Sequence, residues 1–395
     1  MPDKTKEKPE QYRLVARTMS GLEKVLEAEL QSLGGAETEV FNRGVSFSGD
    51  LGFLYKANYR CRTALRILKP IKTFRFYNKE TFYKEILKIR WMDLFDVKKK
   101  IAVGTTGAHP LFNNTLYASQ FAKDAICDCF RDECNERPTV DTTHPDIAIQ
   151  IHLYKDECNL FLDSSGESLH KRGYRVTGGL APLSEVLAAG LIQLSGWKCD
   201  VPFLDPMCGS GTLPIEAAMI ANKIPAGYFR KSFAFEHWKD FDEVLWKKIK
   251  ENTDALICEN DAPVYGSDSS ERAIKDSLAN AKNARMHKDI DFIVNDFEQT
   301  SFPEESGIII MNPPYDERLK IDDILSFYEM IGDTLKKNFS GSTAWIITGN
   351  MDAAKHIGLK ASSRIKLYNG PMECVFLKFD LYEGSKKSSK SEDRS

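Results

Sequence analysis

No stretch of the 395-residue sequence approaches the roughly 18–20 consecutive apolar residues that span a bilayer. The opening residues, MPDKTKEKPEQY, lack the apolar core of a secretory leader. Strong net charge is also missing. Lys+Arg 54 against Asp+Glu 57 leave −3, so no global basic character announces a nucleic-acid partner. The nine cysteines are odd in number and irregularly spaced, which excludes a disulfide scaffold and points to a reducing cytoplasm. Cys127, Cys129 and Cys134 lack the C-x-x-C spacing of a zinc knuckle, and the seven histidines are scattered, so no metal is expected. What remains, 42% hydrophobic and 28% charged, is globular in composition. The length exceeds one compact core and implies about two or three domains.

Charge is unevenly distributed. Residues 1–180 carry a net +4 and the remainder −7, and residues 56–100 hold 14 basic against 4 acidic side chains. Tyr55, Tyr59, Phe74, Phe76, Tyr77, Phe82, Tyr83, Trp91 and Phe95 lie among those charges. Basic groups attract phosphates and exposed rings stack on unpaired bases, so the segment suits RNA, with Arg75 among the candidate contacts. The alternative is that the rings are core and the charges a solvated face.

Periodicity divides the chain in two. Up to about residue 165, short strands (YRLVAR, VFNRGVSFSG, RTALRILKPIKTFRF, KKIAVGTTG, IAIQIHLY) alternate with helices predicted near 21–33, 50–59, 79–89 and 114–136, an α+β region. A Gly- and Ser-rich basic stretch follows, in which Lys171, Arg172 and Arg175 are candidate phosphate contacts. Apolar strands then alternate with helices near 182–195, from 212, 271–286 and 322–338, the pattern of a doubly wound α/β sheet with both faces covered. Residues 228–246 form an aromatic insertion, expected to be an amphipathic helix near the glycine loop, with RNA contact as the alternative. The ends, 1–10 and 383–395, are polar and expected to be disordered.

Ligands of such sheets lie beyond the carboxyl ends of the strands, and four strand ends carry informative residues. The first is DPMCGSGT, residues 205–212. Gly209 and Gly211 allow a tight turn and close approach to a ligand. The loop lacks the Gly-Lys-Ser/Thr of a Walker sequence and the third glycine of a dinucleotide fingerprint; G-x-G alone also serves an ordinary turn. The second is Asp268 with Ser269, where a carboxylate can accept from two vicinal ribose hydroxyls or cap the next helix. The third is Asp296-Phe297, able to hold an adenine amine and ring, or else a turn carboxylate beside a core phenylalanine. The fourth is Asn312-Pro313-Pro314-Tyr315. The lone pair of an exocyclic amine is delocalised into its base. An Asn carbonyl and a proline-fixed backbone carbonyl can accept the amine hydrogens and localise that pair, while the neighbouring ring stacks on the base.

These motifs, in this order and spacing, resemble those of class I S-adenosylmethionine-dependent amino-methyltransferases. With SLHKRGYR (168–175) and APLSEVLAAGLI (181–192), the resemblance extends over residues 10–382 to THUMP-containing enzymes of the RlmL type, which methylate guanine N2 in large-subunit rRNA. It implies a ferredoxin-like segment (11–65), an overlapping THUMP RNA-binding domain (45–165) and a Rossmann-like methyltransferase domain (166–382). It further implies S-adenosyl-L-methionine as cofactor. Asp205, Met207, Cys208, Gly209, Gly211 and Thr212 would line its methionine end. Asp268 and Ser269 would hold its ribose, and Asp296 with Phe297 its adenine. Pro182, Leu183 and Glu185 would close over it, and residues 312–315 would present the base. The pattern N-P-P-Y-G-E-R has Asp316 in place of its glycine here. The alternatives are tRNA guanine N2, adenine N6, or an RNA-binding assembly protein with a degenerate catalytic domain.

Overall fold

The computed structural model describes residues 10–178, 182–302, 306–314 and 324–382. All but residue 10 of the expected disordered ends therefore lies outside the described residues, as do Tyr315 and Asp316. The chain divides into two compact units.

The first unit contains residues 10–18, Leu26–Lys171 and Ala226–Ala255. Its seven-stranded sheet has the order β2-β3-β1-β4-β7-β6-β5. The strands are β1 (Tyr12–Arg17), β2 (Ala36–Phe41), β3 (Gly44–Gly49), β4 (Arg66–Arg75), β5 (Ile101–Gly107), β6 (Ile147–Tyr154) and β7 (Glu157–Asp163). The helices are α1 (Glu23–Leu33), α2 (Leu51–Arg60), α3 (Lys79–Leu87), the single turn α4 (Trp91–Leu94) and α5 (Thr115–Cys134). Asp50, Asn78 and Asn114 begin α2, α3 and α5 by accepting from the third backbone N–H beyond them. β4 pairs with β1 on one side and β7 on the other, so two α+β halves share one strand. Pro70 cannot donate to a ladder, and the β4–β7 register shifts between Pro70 and Lys72.

The second unit contains Met19–Val25, Arg172–Pro225 and residues 256–382. Its elements are α6 (Glu185–Ser195), β8 (Phe203–Asp205), α7 (Thr212–Ala221), then, after α8 (Glu243–Asp254) of the first unit, β9 (Val264–Asp268), α9 (Glu271–Asn283) and β10 (Ile290–Val294). There follow β11 (Ile308–Met311), α10 (Ile324–Asn338), β12 (Thr343–Thr348), α11 (Met351–Ala354), β13 (Ser363–Asn369) and β14 (Met372–Asp380). The sheet order is β10-β9-β8-β11-β12-β14-β13, parallel through β12 and closed by an antiparallel pair. The chain runs outward from β8 to β10 and then returns to pair β11 against β8. The topological switch point therefore lies between β8 and β11.

One expectation is corrected here, and the core reading of the aromatic rings holds for most of them. The aromatic insertion packs on the first unit. Tyr55 stacks on Phe235 at 4.4 Å, and Trp246 meets Tyr59 edge-on at 5.4 Å. The Tyr55 hydroxyl accepts from the backbone N–H of Asp242 at 3.0 Å. The buried rings of α2 supply an apolar surface that this segment covers, with α8 as its only regular helix. Most candidate stacking rings are also core: Tyr55, Tyr59, Phe74, Phe76, Phe82, Trp91 and Phe95 are buried, Tyr83 is half-buried, and Tyr77 is exposed.

Candidate active site

Apolar strands β8, β9, β10 and β11 end side by side, which brings Asp205, Asp268, Asp296 and Asn312 to one edge of the second sheet. Asp205 pairs in register with Gly266, and Val294 with Asp268. Beyond β8, the chain turns through Gly209 and Gly211, both in the left-handed region at φ +53° and +82°. A Cβ on Gly211 would come within 3.1 Å of the Ser277 side chain and 3.2 Å of Phe292. Space above Gly209 is open, with nothing within 4 Å of a Cβ there. Gly211 caps α7, so the loop lies against a helix N-terminus.

The loop is tied to β9 and α9. The Cys208 N–H donates to the Ser267 carbonyl at 2.9 Å, and the Gly209 N–H to Asp268 Oδ2 at 3.0 Å. Ser277 Oγ donates to the Gly209 carbonyl at 2.8 Å. Asp268 Oδ1 accepts from the Ser270 N–H at 3.0 Å, while Ser270 itself caps α9. Helix capping therefore falls to Ser270, and each Asp268 oxygen keeps a second lone pair for a ligand. Ser269 is exposed beside it.

Asp205 is 2% exposed, and its Oδ1 accepts from the Met207 N–H at 3.1 Å. Burial raises its carboxyl well above the usual range, Asp268 adds to the rise, and the Met207 hydrogen bond opposes it. A cation such as an amino-acid ammonium would relieve that cost. Burial likewise pushes the Cys208 thiol well up, with Asp205 adding, so Cys208 stays a protonated packing group.

Asn312 leaves β11 followed by the buried Pro313 and half-buried Pro314. Its Oδ1 is buried and has no hydrogen-bond partner among the described residues. An acceptor unmatched among the described residues at the switch point is available to an external donor. Asp296 is exposed at the start of a short 3₁₀ turn and makes no side-chain cap. Phe297 corrects its expected role: it is buried and stacks on Phe339, with centroids 5.9 Å apart and planes within 14°, as part of the core around Leu204 and Met311.

The basic cluster is also corrected. Arg172 is 1% exposed and pairs with the buried Glu216, whose Oε1 also accepts from the Tyr174 hydroxyl at 3.2 Å. Arg175 turns to the glycine loop: Nε donates to Glu185 Oε1 at 2.8 Å, Nη1 to Ser210 Oγ at 2.9 Å and Nη2 to Thr212 Oγ1 at 2.8 Å. Only Lys171 of the three is exposed, and it pairs with Glu167. Glu185, Leu183 and Thr212 are buried, and Pro182 is exposed. In the first unit Arg75 is exposed at the end of β4, two residues from the exposed Tyr77.

Sequence reasoning missed Ser277 and Asn280. Asn280 Oδ1 accepts from the Val176 and Thr177 N–H groups, and its Nδ2 donates to the Thr177 and Ser210 carbonyls. The available signal was their place on the buried stripe of α9, Ile274-Ser277-Ala281, where polar residues are out of pattern.

Residues 172–378 match a family described as RMKL-like, methyltransferase domain. The chain belongs to the RMKL-like methyltransferases. Residues 76–163 of this family member match the THUMP domain, and 13–68 the RlmL ferredoxin-like domain. A candidate RNA methyltransferase of Synechocystis sp. is 37% identical over 375 residues, covering 94% of this chain and 96% of its own. The structure of SMU.472, a candidate methyltransferase solved with SAH, is 29% identical with a TM-score of 0.85, covering 96% of this chain and 100% of that one. A protein of Listeria monocytogenes str. 4b F2365, described as a predicted N6-adenine-specific DNA methylase, is 28% identical with a TM-score of 0.83, covering 94% of this chain and 97% of that one. This RMKL-like chain is thus a methyltransferase with ferredoxin-like and THUMP domains before a Rossmann-like catalytic domain. Among the described residues, no helix is long and apolar enough to cross a membrane, and no group of three or more His, Cys, Asp or Glu is placed to hold a metal ion.

Proposed function

We propose that this methyltransferase acts on RNA, at the exocyclic N2 amine of a guanosine, with 23S rRNA as its substrate. The methyl donor is S-adenosyl-L-methionine. The open space over Gly209, the helix N-terminus behind it and the buried Asp205 carboxylate suit the donor's polar amino-acid end. Asp268, with acceptor capacity to spare, takes the ribose hydroxyls, and Asp296 the adenine amine. Bound there, the donor supplies a sulfonium-activated methyl group.

The single observation carrying the acceptor side is the unpartnered buried Oδ1 of Asn312. In this reading Asn312 Oδ1 and the Pro313 carbonyl accept the two amine hydrogens, so the nitrogen lone pair turns toward the methyl group. The prolines hold that geometry by fixing φ. The amine proton leaves after the methyl arrives, so the site needs acceptors rather than a strong base. A target within a stem must first be flipped out, which costs a few kcal/mol. Tyr315, outside the described residues, is assigned to stacking on the base. Exposed Arg75 and Lys171 are assigned to RNA phosphates.

The matched RlmL ferredoxin-like domain supports guanine N2 in large-subunit rRNA; the description of the Listeria protein makes adenine N6 the second reading. Nucleoside mass spectrometry of rRNA and tRNA, from cells with and without the protein, decides. Loss of N2-methylguanosine from 23S rRNA is expected; loss of N6-methyladenosine, or a change confined to tRNA, overturns the assignment.

A further inference from the structure

Arg175 occupies a position that its sequence context disguises. It follows a run of basic residues and reads as a phosphate contact, yet its side chain is 21% exposed and turned inward. Its guanidinium holds four acceptors from three places in the second unit. These are the Glu185 carboxylate, 6% exposed, at the start of α6; the Leu183 carbonyl just before it, at 3.3 Å; and the hydroxyls of Ser210 and Thr212, which flank Gly211. The same short segment is fixed again by Asn280, which binds the backbone at 176 and 177 and the Ser210 carbonyl. The turn Gly209-Ser210-Gly211 carries no bulky side chain to set its shape, and Gly209 has open space above it. These ties to Arg175 and Asn280 therefore join those from Ser267, Asp268 and Ser277 in holding its conformation.

The geometry points to Arg175 as a positioning residue of the donor site, acting through Glu185, Ser210 and Thr212. Arg175 brings the start of α6 and the start of α7 to one planar fork and fixes the direction of the N–H groups that face the donor's amino-acid end. Lysine cannot replace it: one ammonium does not reproduce three nitrogens directed at separate acceptors. The inference rests on the assignment of the glycine loop to S-adenosylmethionine.

Full-length protein is assayed for S-adenosylmethionine affinity by calorimetry, and for transfer of labelled methyl to bulk RNA as each substrate is varied. Arg175→Ala should raise the KM and Kd for S-adenosylmethionine by about tenfold or more, the scale of losing charge-assisted hydrogen bonds. At saturating donor, kcat should stay within about threefold, with the KM for RNA and its salt dependence unchanged. Arg175→Lys should recover only part of the affinity. Ser210→Ala combined with Thr212→Val removes two acceptors while leaving Arg175 in place. It should raise the donor KM in the same direction, and it decides the matter if Arg175→Ala fails to fold. Donor KM within about twofold of wild type in this double variant, or in a folded Arg175→Ala protein, overturns the proposal. So does a rise in RNA KM with a salt slope reduced by about one, the signature of a lost phosphate contact. Failure of the wild-type protein to bind S-adenosylmethionine would instead overturn the donor-site assignment itself, and the role of Arg175 with it.

Discussion

Replacing Asn312 by alanine separates chemistry from folding more cleanly than any other change in the site. The Oδ1 atom is buried and unpartnered among the described residues, so its removal breaks no hydrogen bond of that atom to any of them. A buried unpaired acceptor costs about 1–3 kcal/mol. The Asn312→Ala protein should accordingly melt no lower than wild type, or slightly higher. Turnover should behave in the opposite way. An acceptor directed at charge that develops in the transition state is worth about 2.7–4 kcal/mol, so kcat should fall about 10²–10³-fold. Single-turnover methyl transfer at saturating donor and RNA reads that loss directly. Calorimetry with S-adenosylmethionine should give affinity within about twofold of wild type. Asn312→Asp retains an oxygen acceptor and should keep more activity than alanine. A kcat within tenfold of wild type in Asn312→Ala would refute the amine-orienting role, and a large loss of thermal stability would refute the claim that the oxygen is reserved for substrate.

Asp268→Ala should weaken S-adenosylmethionine binding by about 1.5–3 kcal/mol, the range for hydrogen bonds to a charged group; unchanged calorimetric affinity would remove Asp268 from the ribose role. For Asp205, burial raises the native carboxyl above its ordinary value of 3.8, so the folded state holds the proton more tightly. Its ionisation subtracts nothing below that pH, subtracts progressively more as pH rises from there to the native value, and subtracts a constant amount above it. Ligand-free Asp205→Asn should therefore match wild type in denaturant stability at low pH and exceed it at neutral pH, while binding the donor more weakly. Arg172→Ala removes the cationic partner of the buried Glu216 carboxylate and should cost about 3–5 kcal/mol in urea unfolding, without touching the salt dependence of RNA binding. Arg75→Ala should leave donor affinity alone and reduce the salt slope of RNA binding by about one.

Strand ends were legible because a parallel strand buried on both faces is written as an apolar run, so a polar residue closing that run marks the edge where ligands sit. GIIIMN and PVYGSD each show the transition within one residue. Side-chain destinations were less legible. A basic triplet in a Gly- and Ser-rich stretch looks solvated, and nothing local reveals that Glu216, 44 residues away, awaits Arg172 inside. Asn280 ties down Thr177 across 103 residues, a distance over which hydrophobic periodicity carries no information. Phe297 shows a similar limit: a phenylalanine after a strand-end aspartate suits a ligand ring, but the ring it meets is Phe339. The insertion was misplaced for the same reason. Its composition demanded burial without naming the surface that would bury it.

Residues 226–255 lie within the stretch matched to the methyltransferase domain, 172–378, yet they complete the hydrophobic core of the first unit. The polypeptide thus lends part of its methyltransferase-domain match to the half that carries the ferredoxin-like and THUMP matches before returning. Cutting between residues 171 and 172 would strand Phe233, Phe235 and Trp246 on a fragment with no use for them and uncover Tyr55 and Tyr59 on the other. An exchange of these halves between relatives that keeps the first core intact carries residues 226–255 with residues 10–171.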